Sequence, residues 1–160
     1  MAKIVQDPTQ PMPPEQSGLA KALMLPGKYE VTEADTFTIE IWTKKIDNRW
    51  LVVNKGTVGA EQHEVTCRMW SFDEEVTFRR MALQYDQEKR IHFVDNNLLD
   101  QIKLRRLLKS WTFEQDNPNL KLLHVNGVMS DQSWDAVRKL HRNILTFIIA
   151  KMNEVLDGGE

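Results

Sequence analysis

The chain has four histidines and one cysteine, side chains that zinc sites and cysteine nucleophiles draw on. His63-Glu64-Val65-Thr66-Cys67 is the nearest approach to a zinc-protease signature, with Cys67 where the second histidine belongs. The run alternates apolar and polar residues, so it reads as a strand, and strand residues four apart lie about 13 Å from each other. One ion cannot span that gap, and no metal site is expected from this run. Cys67 would need a histidine delivered by the fold to act as a nucleophile. No local pattern chooses among His63, His92, His124 and His141, and a lone cysteine in an apolar alternating strand reads as core. Asp95, three residues after His92, is placed to cap a helix. Asp73, Glu74 and Glu75 fall in a first helical turn, where the helix dipole favours negative charge. Lys55-Gly56-Thr57 is a fragment of a phosphate-binding loop without the rest of its frame. The expectation is a protein without catalysis, cofactor or metal.

Binding chemistry is better represented. Between Arg79 and Lys109 eight Lys or Arg residues face four acids, a local excess of +4. Arg105, Arg106 and Lys109 share one helical stripe with Trp111 close by. Cations for phosphate and a ring for stacking are what a nucleic-acid surface uses. A solvated face of snorkelling side chains is the plainer reading. The formal charge of −2 also argues against a protein built to grip a polyanion. Five tryptophans are present. Trp42 falls on the polar side of its strand and Trp70 out of phase with Val65, Cys67 and Met69, so both are candidates for exposure, the alternative being that a second layer of the same domain covers them. Exposed Trp is typical of protein interfaces. Trp134, Phe147 and Ile148 lie on a final helix expected to contact another chain.

Those residues are carried by elements of mixed type. Phe37-Thr38-Ile39-Glu40-Ile41 alternates as a strand, Asp47-Asn48 is a tight turn, and Trp50-Leu51-Val52-Val53 is its partner. With 61–69 these make a small antiparallel sheet with one apolar face. Ser71-Phe72-Asp73-Glu74 is a capping box opening a helix to about Gln84. Asp95 caps a second helix running to Trp111. Asn117-Pro118-Asn119 and Asn126-Gly127 are turns around a short strand expected from Leu120 to Val125. Ser130 caps a third helix of roughly 27 residues, whose stripe of Trp134, Val137, Leu140, Ile144, Phe147, Ile148, Met152 and Val155 steps by three and four. Gly158 and Gly159 stop it. That stripe is longer than one small core normally buries. The expected fold class is therefore α+β: a small antiparallel β-sheet followed by three α-helices, with a long C-terminal helix.

Pro8, Pro11, Pro13 and Pro14 are four of the six prolines and make residues 1–16 an extended arm; 17–160 reads as one domain, with a turn or two of helix in 17–25. The composition, 41% hydrophobic and 28% charged, is that of a globular chain, which excludes collagen-like and wholly disordered classes. No apolar run reaches the length of a membrane span, and Met1–Pro14 lacks the apolar core of a signal peptide. A cytosolic protein is expected.

Three segments, Met69-Trp70-Ser71-Phe72-Asp73-Glu74-Glu75, Leu104-Arg105-Arg106-Leu107-Leu108-Lys109-Ser110-Trp111 and the closing helix Asn143–Leu156, resemble small bacteriophage tail-region proteins of the tail assembly chaperone kind. The resemblance covers about residues 65–157. It implies a protein that performs no bond chemistry and works by binding other phage structural proteins or itself, in the host cytoplasm during assembly or in the virion.

Overall fold

A computed structural model describes residues 29–158. The proline-rich arm, the short helix expected in 17–25 and Gly159 lie outside the described residues. Glu33–Glu160 form one compact unit.

This unit is α+β. Strands β1 (Thr36–Ile46), β2 (Arg49–Val53) and β3 (Glu61–Arg68) form the expected antiparallel sheet. Asp47 and Asn48 both adopt positive φ, 50° and 67°, the conformation that a two-residue hairpin turn needs. Alternation along β1 and β3 turns Ile39, Ile41, Thr43, His63, Val65 and Cys67 inward.

A fourth strand, β6 (Leu108–Trp111), follows the second helix and pairs with β3, giving the order β2-β1-β3-β6. The helix expected to run on to Trp111 ends at Leu107, and Leu108 is extended. The free edge of β3 supplies the reason. Its unpaired backbone groups accept β6 as a partner, across a bulge between Thr66 and Cys67.

Helix α1 (Phe72–Met81) opens on the expected capping box: the Ser71 hydroxyl accepts from the Glu74 N–H at 3.1 Å and a Glu74 carboxylate oxygen accepts from the Ser71 N–H at 3.2 Å. The helix ends three residues before Gln84, because Leu83–Asp86 (β4) turns back through a loop to pair with Ile91–Val94 (β5). Neither segment is expected to be a strand from its residues alone. Asp95 caps α2 (Asn96–Leu107) as expected, its carboxylate accepting from Asn97 and Leu98 N–H groups at 3.0 and 3.2 Å. Asn126-Gly127 turns the two-residue strands β7 (His124–Val125) and β8 (Val128–Met129); Leu120, expected in a strand, closes a 3-10 turn, Pro118–Leu120.

The single helix expected from Ser130 is two, α3 (Asp131–Val137) and α4 (Arg142–Leu156). Neither proline nor glycine marks the break. It lets Val137 and Ile144 each enter the core from a helix of its own direction, and it is tied by Asn143 Nδ2 donating to the Trp50 carbonyl at 3.0 Å. At 15 residues α4 remains the longest helix among the described residues, and Gly158, with φ of 92°, follows its end. Among the described residues, no helix is long and apolar enough to cross a membrane.

Candidate functional site

Large apolar side chains normally leave water when a domain folds, yet the β4–β5 hairpin keeps four of them outside. Tyr85 and Ile91 are 50% exposed, Leu83 and Phe93 44%. The register sets Leu83 opposite Val94 and Tyr85 opposite His92 on one face, and Phe93 opposite Gln84 and Ile91 opposite Asp86 on the other. Both faces of the ribbon are therefore apolar. Phe72 and Met81 of α1 are also exposed. A two-stranded ribbon is marginal by itself in water. This one is anchored at its base by the Asp95 N–H donating to the Ala82 carbonyl at 2.9 Å, and at its tip by Asp86 accepting from the N–H groups of Glu88 and Lys89. Among the described residues neither strand pairs with a third, so both edges present open backbone donors and acceptors.

The residues singled out for protein contact are dispersed. Trp42 is half-buried on the outer sheet face, where its indole N–H donates to Glu40 at 2.9 Å; that bond, with Lys55 and Gln62 beside it, holds the Glu40 carboxyl below its ordinary value. Trp70, a candidate for exposure, is buried: β3 stops at Arg68, so strand phase no longer governs it, and the ring turns inward against Phe78 at 5.9 Å. Ile148 is likewise wholly buried. Trp134 and Phe147 are half-buried and line separate open grooves, about 880 and 720 Å³, which share Arg142 and Thr146 of α4.

The basic stripe suited to nucleic acid is also broken up. Trp111 is buried in β6, its indole N–H donating to the Leu120 carbonyl at 2.7 Å. Arg105 is engaged with the Met129 carbonyl and Asp131, at 2.7 and 2.9 Å. Because the helix ends at Leu107, Lys109 sits on a strand rather than on the helical face of Arg105 and Arg106. Arg106 and Lys109 do share a small cavity of about 280 Å³ with Arg68 and His124. In it Arg68 is bound to Glu74 through two hydrogen bonds, of 3.1 and 2.8 Å. Burial works to raise Glu74, but these bonds and the Ser71 amide outweigh it and hold the carboxyl below its ordinary value.

Two buried groups have shifted titration. Lys103 lies inside, donating to Asn153 at 2.8 Å and 4.8 Å from the Trp70 ring centre; burial lowers its pKa against the opposing pull of Asp100. Cys67 is fully buried, as expected of a core cysteine, and burial pushes its thiol up to about 12. The unfolded chain releases this proton near about pH 8.5. Between those values the folded state binds more protons than the unfolded one. Stability is then expected to fall by about 1.4 kcal/mol per pH unit as pH rises. Urea unfolding of the protein and its Cys67→Ala variant from neutral to alkaline pH checks this: the variant should lack that slope.

A second polar cluster occupies the end of the core beneath β1 and β3. Glu61, exposed at the start of β3, lies on the same strand face as the buried His63, and Asp116 follows the 3-10 turn Thr112–Gln115. Their side-chain ligand atoms all lie within 4.8 Å of one another. Strand alternation puts Glu61 and His63 on one face. Asp116 carries no sequence signal, being brought in from a distant part of the chain by β6 and the turn after it.

No protein-family model, curated protein or solved structure matches this chain.

Proposed function

We propose that this chain is a protein-binding component of bacteriophage tail-region assembly, without a reaction of its own, and that it docks through the β4–β5 hairpin on a second copy of itself. The observation that carries the reading is the ribbon with apolar residues on both faces and two open edges. Such an edge pairs readily with another strand. A two-fold contact is self-complementary by construction: pairing β5 with its copy about His92 sets Ile91 against Phe93 of the second copy, both on one face of the ribbon. The segments Met69–Glu75, Leu104–Trp111 and Asn143–Leu156 support the tail-region assignment by their resemblance to phage assembly proteins.

Light scattering across a range of protein and salt concentrations tests the reading. A dimer or larger species whose mass is unchanged by salt is expected, since apolar contact and strand pairing are little screened. A monomer at every concentration would overturn it.

A further inference from the structure

We propose that Glu61, His63 and Asp116 form a site for a divalent transition-metal cation of the zinc class. One face of β3 runs Glu61, His63, Val65, Cys67, with Glu61 exposed and the other three buried, so at one end of the strand the apolar core gives way to polar side chains that reach the surface. His63 is only 7% exposed and its ring is held from two sides. It stacks on Phe113 with centres 4.1 Å apart and planes 22° from parallel, and its Nδ1 lies 3.3 Å from the Thr112 hydroxyl. That hydroxyl oxygen already accepts the Glu64 N–H at 2.9 Å and has a second lone pair for an Nδ1–H donor. In this tautomer Nε2 offers its lone pair to the cavity, the arrangement by which metal-binding histidines are oriented.

Among the described residues Nε2 makes no hydrogen bond. Its nearest polar partners are Asp116 Oδ2 at 3.7 Å and Glu61 Oε1 at 3.9 Å, too long for hydrogen bonds. They are close to the spacing of donors around a shared cation: ligand atoms about 2.0–2.2 Å from a tetrahedral ion stand roughly 3.3–3.6 Å apart. Both carboxylates are more than half exposed and can close the remaining gap by small rotations from the rim. One imidazole with two carboxylates suits zinc and its neighbours; calcium and magnesium take oxygen alone. The three groups border a cavity of about 250 Å³ that His141 also lines. The cation keeps its remaining coordination toward that space, as a site with three protein ligands does, and joins β3 to the segment after Thr112–Gln115. Cys67 takes no part, being four strand positions from His63.

The test uses the untagged full chain stripped with a chelator, titrated with zinc chloride by calorimetry and with cobalt(II) by visible absorption. One equivalent of zinc should bind, cobalt should develop the bands of a low-coordinate N/O site, and the melting temperature should rise with either ion. Asp116→Asn, on an exposed side chain that leaves the core intact, and His63→Gln should each weaken binding by at least about tenfold. Circular dichroism checks that both variants are folded. Absence of saturable zinc uptake, or uptake undiminished in Asp116→Asn, overturns the proposal. So does a melting temperature that neither ion moves, the result expected if His63 is held by ion pairing alone.

Discussion

Replacing Trp111 by alanine should destabilise the protein by about 3–5 kcal/mol, at the upper end of what a single core substitution costs. The side chain is 3% exposed, sits edge-on to Phe113 with ring centres 5.2 Å apart, and donates its indole N–H to the Leu120 carbonyl at 2.7 Å. It joins the fourth strand to the 3-10 turn that follows. Trp111→Phe keeps most of the buried area but leaves that carbonyl without its donor, for about 1–3 kcal/mol. Urea unfolding followed by circular dichroism measures both. Were the ring an exposed stacking platform for nucleic acid, alanine would change stability by no more than about 0.5 kcal/mol, an outcome that would contradict its place in the core.

Tyr85→Ser combined with Phe93→Ser should turn the associated protein into a monomer while its fold survives. The two rings lie on opposite faces of the hairpin, so together they remove an apolar anchor from each. Buried aromatic anchors contribute about 2 kcal/mol or more apiece to an interface, and losing two should weaken self-association by more than about a hundredfold. Within one chain the side chains are half exposed, and the cross-strand contact of Tyr85 with His92, rings 4.9 Å apart, contributes only about 0.2–1 kcal/mol. Light scattering with a parallel thermal melt separates the two effects. An unchanged mass with an unchanged melt would place association elsewhere on the molecule.

Local chemistry is legible in the sequence; competition between distant segments is not. The Asp47-Asn48 turn, the Ser71–Glu74 capping box and the Asp95 cap all depend on residues within four positions of each other, and each is found where it is expected. The fate of Leu108–Trp111 is decided by the open edge of β3, some forty residues earlier, which converts a good helical string into a strand. That conversion buries Trp111, separates Lys109 from Arg105 and Arg106, and swings Asp116 toward His63. The apolar stripe of 134–155 likewise reads as continuous, because its spacing of three and four survives the bend at 138–141. Trp70 is misplaced when strand alternation is extended two residues past the end of the strand. The hairpin escapes a pattern search because Leu83-Gln84-Tyr85 and Ile91-His92-Phe93 are short, and their alternation puts apolar residues on both faces instead of one.

The most direct test of docking through the hairpin is amide hydrogen exchange at protein concentrations above and below those at which the mass changes. Edge-to-edge pairing predicts that the outward amides of Ile91–Val94 slow markedly in the associated state, whereas those of β2, at the edge of the main sheet, exchange equally in both. Exchange at Ile91–Val94 that is indifferent to association would contradict it.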